Sequence, residues 1–282
     1  MTGTPLPPPH PRSTPLTWLY VPGDRPQVVT GALAAGADVV VVDLEDAVAP
    51  DRKEYARAAT VERLADPQPV TVHVRVNALD TGWAAADLAA LAGLPGLSGL
   101  RLPKVSVPEQ VTRAAGAAGE SLPLWALIES ALGVEHAYRI ATAHPALRGV
   151  SLGEADLRAD LGVRDDAGLD WPRSRLVVAA RAAGLAPPPQ SVHPDIRDLD
   201  GLAASCARGR ALGFLGRAAI HPRQLPVIER AYLPTPAEIE EAETVVKAAA
   251  LTEGAQALPD GRFIDAAVVA AARRTLSAAH RP

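Results

Sequence analysis

The 282-residue chain has one cysteine, Cys206, and no run of about 18 apolar residues. A single cysteine excludes an internal disulfide and is typical of a reducing compartment. Without a long apolar run, no membrane-spanning helix is expected. The net charge of −4 disfavours the basic surface that nucleic acid requires. We therefore expect a cytoplasmic protein that acts on small molecules, with neither nucleic acid nor membrane as a partner.

Short apolar runs alternate along the chain with longer segments rich in Ala, Leu and Arg, which is typical of repeated βα units and a parallel sheet. The number of apolar runs predicts an α/β fold, a (β/α)8 TIM barrel with a C-terminal helical extension. The predicted strands are 17–21, 38–43, 70–76, 99–104, 122–128, 149–152, 190–193 and 218–221. The predicted helices between them are 25–35, 51–64, 84–92, 108–118, 131–144, 172–183 and 199–212.

Three regions are expected along the chain. Residues 1–15 are rich in Pro and Thr and are predicted to be a flexible N-terminal segment. Residues 16–233 are predicted to be the TIM-barrel catalytic domain. Residues 234–282 exceed what closure of a barrel needs and are predicted to be a helical extension, which either caps the mouth of the barrel or reaches a neighbouring subunit.

Two acidic residues, Glu129 and Asp156, follow two successive predicted strands. In a TIM barrel both carboxylates lie at the carboxyl ends of neighbouring strands, where such barrels build their active sites. Carboxylate oxygens suit Mg²⁺, with Mn²⁺ as a possible substitute, and no histidine has the spacing of a transition-metal site. We predict that this pair holds Mg²⁺. Glu154 is the competing ligand, and each acid alone is equally consistent with capping the following helix.

Three carboxylates, Asp43, Glu45 and Asp46, follow the second predicted strand. Like charges this close repel, so a positive group is expected beside them, either the hydration shell of a metal or Arg75 of the third strand. The fork of N–H donors on Arg75 suits a carboxylate or a developing enolate oxygen. The alternative is a structural ion pair with Asp43 or Glu45. His73 shares the face of Arg75 but lies deeper, as expected of a satisfied core histidine.

Other polar residues follow the remaining predicted strands. Gly23 and Arg25 form either a plain turn or a turn whose N–H groups bind a phosphate or oxyanion. Lys104 is either a Schiff-base nucleophile or an ion-pair partner of nearby carboxylates, and its acidic surroundings favour the ion pair. His221 either contacts substrate or is structural. Asp265, in the extension, is either a helix N-cap or a second functional acid.

At these positions the chain resembles the citrate lyase β-subunit-like (CitE-like) branch of the HpcH/HpaI aldolase superfamily. The resemblance runs in order from about residue 16 to 277. It is carried by WLYVPGDR (18–25), DLEDAV (43–48), VRVN (74–77), LPKV (102–105), LIESALGV (127–134), LGEADL (152–157), ADLG (159–162) and IHPRQ (220–224).

The resemblance implies a Mg²⁺-dependent carbon–carbon lyase that cleaves a 3-hydroxyacyl-CoA thioester of malyl-, citramalyl- or citryl-CoA type into acetyl-CoA, or a similar acyl-CoA, and a 2-oxo acid. It assigns the metal to Glu129 and Asp156 and substrate binding to Arg75. It also implies a homo-oligomer, typically a trimer, in which Asp265 enters the neighbouring subunit's site as acid or base. Alternatives are a thioesterase or malate-synthase-like activity on the same site, a metal-dependent 2-oxoacid aldolase, or a non-catalytic acyl-CoA-binding homologue.

We expect Asp46 or Glu45 to remove the hydroxyl proton through water, Arg75 to stabilise the enolate, and Asp265 to protonate its carbon. Gly23, Arg25, Asp43 and Lys104 are assigned to binding, the first two to the thioester arm or its phosphates. Two segments depart from the family pattern: 189–193 lacks an expected aspartate, and 253–259 is less rich in small residues than the pattern implies. The acyl group, and the choice between CoA and a carrier-protein thioester, stay open.

Overall fold

The computed structural model describes residues 14–251, 256–257 and 261–279. The chain separates into two compact units, which are described one at a time. The larger is Pro15–Tyr232, and the smaller contains the described residues from Leu233 onwards. The predicted flexible segment lies almost wholly outside the described residues.

The larger unit is built on a sheet of seven parallel strands in the order β6-β5-β4-β3-β2-β1-β7. Strands β1 to β6 are therefore neighbours in chain order, and the last strand returns to pair with the first. Their bounds are β1 Thr17–Pro22, β2 Val39–Asp43, β3 Thr71–Arg75, β4 Gly99–Leu102, β5 Leu124–Ile128, β6 Leu147–Leu152 and β7 Arg217–Ala219.

Helices connect the parallel strands and follow β7. They are α1 Pro26–Leu33, α2 Lys53–Leu64, α3 Ala84–Leu91, α4 Pro108–Ala118, α5 Ala131–Glu135, α6 Ala137–Ala141, α7 Glu154–Leu161, α8 Asp170–Ala182, α9 Leu199–Leu212 and α10 Leu225–Tyr232.

Burial on both faces explains why the strands read as apolar runs. Val39, Val40, Val41 and Val42 of β2 are each at most 1% exposed. A parallel sheet covered by crossover helices buries both faces, so consecutive β-branched residues are favoured there. The same topology places every βα loop at the carboxyl ends of the strands, which is where the site lies.

The predicted TIM-barrel fold is confirmed, but the prediction of eight strands is wrong for the described residues. The segment predicted as strand 190–193 is reduced to one bridge between Gln190 and Arg217 of β7. The three prolines at 187–189 precede it and have no N–H to donate to a ladder. Gln190 still donates its N–H to Gly216 O at 2.9 Å and accepts from Ala218 N at 3.0 Å. It thus marks the missing strand position beside β7.

One helix prediction is corrected, and the structure adds a helix after β6. The predicted helix 131–144 is divided at His136 into α5 and α6. Helix α7, which no apolar pattern had indicated, begins directly after β6 at Glu154. Asp156 therefore belongs to the first turn of α7 rather than capping the helix from outside.

The smaller unit contains α11 Pro236–Leu251, an antiparallel pair β8 Gln256–Ala257 and β9 Phe263–Ile264, and α12 Ala266–Ala279. Its buried residues are Ala242, Val245, Ile264 and Ala272. Throughout the described ranges, no helix is both long and apolar enough to cross a membrane.

Candidate active site

A cavity of about 340 Å³ opens at the carboxyl ends of the strands of the Pro15–Tyr232 unit. Six of the residues that the sequence singled out line it together: Asp43, Asp46, Arg75, Glu129, Glu154 and Asp156. They come from loops and strand ends after β2, β3, β5 and β6. The topology thus brings distant acidic and basic positions into one cavity.

Glu129 directly follows β5 and is only 5% exposed. Its Oε2 accepts the backbone N–H of Lys104 at 2.7 Å, and Lys104 adopts a left-handed conformation with φ of 54°. Its Oε1 lies against Gly153, where an added Cβ would come within 2.0 Å. Gly153 is therefore required to leave room for this carboxylate.

Burial raises the pKa of Glu129 from its ordinary 4.5 to about 7. The negative charges of Glu45 and Asp156 act in the same direction, against the Lys104 N–H and the charge of Arg75. Charged neighbours and desolvation thus both disfavour the ionised carboxylate. A cation bound at Glu129 would reverse that balance.

Glu154, the competing metal ligand, forms an ion pair with an arginine. Arg173 of α8, itself 4% exposed, donates from Nε to Glu154 Oε1 at 2.9 Å and from Nη2 to Oε2 at 2.6 Å. A bidentate Arg–carboxylate pair is among the strongest side-chain interactions, so Glu154 is not free to bind a metal. Asp156, exposed in the first turn of α7, remains on the cavity.

The donor set fits Mg²⁺, because Glu129 and Asp156 offer hard carboxylate oxygens in the same cavity. The charge of Asp156 already acts on Glu129 and raises its pKa. No group of three or more His, Cys, Asp or Glu side chains in the described part of the chain could hold a metal. A cation bound at this pair would take its other ligands from water and substrate, as Mg²⁺ usually does.

The segment 43–46, which carries Asp43, Glu45 and Asp46, is called the acidic loop. Its conformation is held by Asp43, which is 1% exposed. Its carboxylate accepts N–H bonds from Glu45 at 2.9 Å and Ala47 at 3.1 Å. Arg75 adds two bonds to it, at 2.7 Å from Nε and 2.6 Å from Nη2. The structural ion pair considered for Arg75 is therefore present.

Arg75 nevertheless keeps donors for a ligand. Its Nη1 approaches Glu45 Oε2 to 2.9 Å as an ion pair without hydrogen-bond geometry. Of the five N–H groups of a guanidinium, two are bonded to Asp43, and those on Nη1 face Glu45 without forming a hydrogen bond. The side chain lines the cavity. Burial lowers the pKa of Arg75, but the charges of Asp43 and Glu45 outweigh it and raise the pKa, so Arg75 stays charged.

Lys104 forms the ion pair that its acidic surroundings predicted. Its Nζ donates to Glu45 Oε1 at 2.6 Å and to Asp46 Oδ1 at 3.3 Å. Burial lowers the pKa of Lys104, but the two carboxylates together raise it above its ordinary value. An ammonium held charged in this way is not a Schiff-base nucleophile. Burial also raises the pKa of Glu45, against the charges of Arg75 and Lys104.

Lys53 was not singled out from the sequence, yet it also binds the backbone of the acidic loop. Its Nζ donates to the carbonyl oxygens of Leu44 at 2.8 Å and Glu45 at 2.7 Å. The lysine is buried, and burial lowers its pKa. No spacing in the sequence indicates this contact, since it depends on how α2 packs.

Gly23 and Arg25 are not brought into the cavity lining. The Gly23 N–H donates to Asp43 O at 2.8 Å, so it is not available to an anion. A Cβ at Gly23 would lie 2.9 Å from Leu44 Cδ2, which explains the glycine by packing. Arg25 is exposed at the start of α1.

The two candidate histidines have structural positions. His73 is buried against Trp125, with ring centroids 4.0 Å apart, but its Nδ1 has no hydrogen-bond partner within the described structure. It is thus a core histidine, though not the fully satisfied one expected. His221 accepts the N–H of Arg223 at 3.1 Å and caps the 3₁₀ turn Pro222–Gln224.

Asp265 caps helix α12 in the smaller unit. Its Oδ1 accepts the N–H groups of Ala267 and Val268, each at 2.9 Å. The helix-capping alternative is therefore present. A role in a neighbouring subunit stays a prediction, and the segment 253–259 lies mostly outside the described residues.

Residues 16–222 match the family model for HpcH/HpaI aldolase/citrate lyase. The chain belongs to this family. It is 38% identical over 272 residues to a (3S)-malyl-CoA thioesterase of Cereibacter sphaeroides (strain ATCC 17029 / ATH 2.4.9), covering 93% of each chain. It is 34% identical over 279 residues to citrate lyase subunit beta of Escherichia coli K12, covering 93% of this chain and 92% of that protein.

Among solved structures, this HpcH/HpaI family member resembles protein CitE from Mycobacterium tuberculosis in complex with magnesium, acetoacetate and coenzyme A. The TM-score is 0.82 at 35% identity, covering 95% of this chain and 99% of that chain. The resemblance expected from the sequence motifs is confirmed. The homologues named here are enzymes, and that neighbour binds magnesium.

One charged residue in the cavity of this family member had not been singled out from the sequence. Arg101 of β4 lines the cavity while only 1% exposed. The signal was present, because a charged residue interrupts the apolar strand Gly99–Leu102.

Proposed function

We propose that the protein is a Mg²⁺-dependent carbon–carbon lyase that cleaves a 3-hydroxyacyl-CoA thioester into an acyl-CoA and a 2-oxo acid. One observation carries the proposal: the buried carboxylate of Glu129, whose charge is poorly compensated, lines the same cavity as Asp156 and the guanidinium of Arg75. The magnesium and coenzyme A bound by the CitE neighbour support it.

Glu129 and Asp156 would hold the metal, Mg²⁺ or in its place Mn²⁺. When bound, the ion would supply Lewis-acid polarisation of the substrate's hydroxyl and carboxylate oxygens, and it would act as a template for their orientation. The pairing of Glu154 with Arg173 supports Asp156 as the partner of Glu129.

Asp46 is the better placed of the two candidate bases. Its side chain is 52% exposed, lines the cavity, and lies 3.3 Å from Lys104 Nζ and 3.8 Å from Arg75 Nη1. Glu45 is held more closely, at 2.6 Å by Lys104 and 2.9 Å by Arg75. Asp46 therefore accepts the hydroxyl proton, directly or through water. Arg75 directs its remaining N–H groups at the oxygen where enolate charge develops, a contribution of roughly 3–4 kcal/mol for such a donor.

Four further residues complete the proposed site, one of them from a neighbouring subunit. Asp265 of a neighbouring subunit protonates the enolate carbon, within a homo-oligomer that we propose to be a trimer. Arg25, exposed beside the first βα turn, contacts the phosphates of the thioester arm. The carboxylate of Asp43 and the ammonium of Lys104 hold the acidic loop in place for substrate.

Thioester hydrolysis is the second candidate function. The relative from Cereibacter sphaeroides is named a thioesterase and is 38% identical across 93% of this chain. The same metal and arginine would serve a reaction in which water attacks the thioester carbonyl instead of the carbon–carbon bond breaking.

Mass spectrometry of reaction mixtures separates the two. The protein is incubated with malyl-, citramalyl- and citryl-CoA, with Mg²⁺ and separately with EDTA. A lyase yields acetyl-CoA and a 2-oxo acid, lost in EDTA, whereas a thioesterase yields free CoA and the intact hydroxy acid. Turnover that persists at full rate in Glu129→Gln contradicts the metal assignment. Glu135→Gln, at an exposed position of α5, is the matched control.

A further inference from the structure

Lys53 carries a buried ammonium at a position that helix formation does not favour. It is 6% exposed and is the first residue of α2. The helix dipole disfavours a positive charge at the N-terminus of a helix. A buried charge also costs free energy unless it is paired and hydrogen-bonded. The stability of α2 therefore does not explain this lysine, and its partners have to.

The partners of Lys53 are backbone carbonyl oxygens of the acidic loop. Its Nζ donates to Leu44 O at 2.8 Å and to Glu45 O at 2.7 Å. Glu45 O also accepts the N–H of Val48 at 2.9 Å, which closes the turn that follows. Hydrogen bonds from a charged donor are stronger than those between neutral groups. Lys53 thus ties α2 to two successive peptide units of the loop.

These two carbonyl groups directly precede Asp46, the proposed base. Glu45 O and the Asp46 N–H belong to one planar peptide unit, so a donor that fixes the carbonyl also fixes the start of Asp46. The Asp43 carboxylate holds the N–H groups of Glu45 and Ala47. The backbone on both sides of Asp46 is therefore held by one ammonium and one carboxylate.

Lys53 is also the third cation beside the three carboxylates of the acidic loop. Arg75 and Lys104 form ion pairs with these carboxylates directly. Burial lowers the pKa of Lys53, and the negative charges of all three carboxylates oppose that effect. Because Lys53 bonds to the backbone, its charge stabilises the loop without occupying the Asp46 carboxylate, which stays on the cavity.

We propose that Lys53 is a positioning residue that orients Asp46 for proton transfer. The inference rests on the proposed function, in which Asp46 accepts the hydroxyl proton of the substrate. Lys53 lies outside the cavity lining, so it acts through the loop and not on the substrate. Losing its two bonds frees the peptide unit before Asp46, and a displacement of about 1 Å at a reacting group costs on the order of 100-fold in rate.

The first measurement is hydrogen exchange of backbone amides by NMR in Lys53→Met, whose side chain has a similar length and no N–H donor. The Glu45 and Ala47 amides should exchange roughly tenfold or more faster, the range for losing hydrogen bonds to a charged group. The amides of β2 should keep their wild-type rates. Unchanged exchange in the acidic loop overturns the proposal, and so does equal acceleration in β2, which would reveal a general loss of stability. Lys247→Met, at an exposed position of α11, is the matched control.

The second measurement is a double-mutant cycle on thioester turnover. Lys53→Met should lower kcat about 100-fold with KM nearly unchanged, and it should cause no further loss in the Asp46→Asn background. Wild-type kcat in Lys53→Met overturns the proposal, as does an equal loss of kcat in both backgrounds. Lys53→Ala leaves space for water at the two carbonyl groups and takes the place of the methionine variant if that does not fold. A wild-type protein without turnover contradicts the proposed function, and the exchange rates then decide whether Lys53 positions the loop.

Discussion

Replacing Glu129 with Gln is expected to stabilise the metal-free protein at neutral and alkaline pH. Gln has nearly the same shape and keeps an oxygen that accepts the Lys104 N–H, which bonds to Glu129 at 2.7 Å. It removes only the ionisation. Because the side chain is 5% exposed, little solvent screening offsets the cost of its charge.

The pH window follows from the raised pKa of Glu129, about 7 in the folded protein against an ordinary value of 4.5. Below 4.5 the carboxyl is protonated in both folded and unfolded chains, and the wild type carries no penalty. Between these values the folded state holds a proton that the unfolded state has released, so stability is lost as pH rises through about 7. The full loss is roughly 3 kcal/mol, since each pH unit of difference is about 1.36 kcal/mol.

The assay is urea denaturation in EDTA from pH 4.5 to pH 8, followed by tryptophan fluorescence. All four tryptophans lie in the Pro15–Tyr232 unit. The free energy of unfolding of Glu129→Gln should exceed that of the wild type by roughly 3 kcal/mol at pH 8 and match it near pH 4.5. Glu135→Gln should show no such pH-dependent difference.

Mg²⁺ should then reverse the order. An ion that binds only the folded wild type adds about 4.1 kcal/mol at a concentration 1,000 times its Kd, which exceeds the deficit of roughly 3 kcal/mol, and the variant lacks one of the two ligands. A Gln variant that is equally destabilised at every pH would refute the reasoning. Such a result would identify Glu129 as a structural hydrogen-bond acceptor and not as a carboxylate whose charge is compensated by a bound cation.

Three further changes probe the site. Arg173→Met should lower the free energy of unfolding by about 3 kcal/mol in urea denaturation, because it leaves Glu154 without its bidentate partner; a loss under about 0.5 kcal/mol contradicts this. Gly153→Ala should weaken Mg²⁺ affinity at least about tenfold by titration calorimetry, with an unchanged circular dichroism spectrum, because its Cβ would lie 2.0 Å from Glu129 Oε1. Asp265→Asn should change the free energy of unfolding by less than about 0.5 kcal/mol, since Asn also caps helices, but it should lower the kcat of the lyase reaction. An unchanged kcat would mean that Asp265 acts only as a helix cap.

Much of the fold could be predicted from the sequence, because a strand that is buried on both faces is a continuous apolar run. The run Val39–Val42 identified β2, and similar runs located the other strands of the sheet within a few residues. The position before β7 was misjudged, since Gln190 makes sheet bonds without extending into a strand. The bounds of helix α7 were not predicted, because its acidic first turn has no apolar stripe.

Which side chains pair with one another was harder to predict from the sequence than where the strands end. Parallel topology alone places Glu129, Asp156 and Arg75 at one edge, so their meeting in one cavity follows from the strand order. The choice between Asp156 and Glu154 depends on Arg173, which lies 19 residues away on another helix. Contacts of that kind depend on how helices pack, which leaves no local pattern.

The charges at the mouth of the cavity are compensated unevenly, and the deficit falls on Glu129. The acidic loop is bonded to Arg75 and Lys104, whereas the bond that Glu129 accepts comes from a backbone N–H. Burial and the negative charges of Glu45 and Asp156 therefore disfavour its ionisation. A cation bound at Glu129 would supply the missing positive charge, so cation binding and release of the Glu129 proton should be coupled. The affinity for Mg²⁺ should then rise with pH up to about 7 and level off above it, and an affinity that does not change over that range would contradict this account.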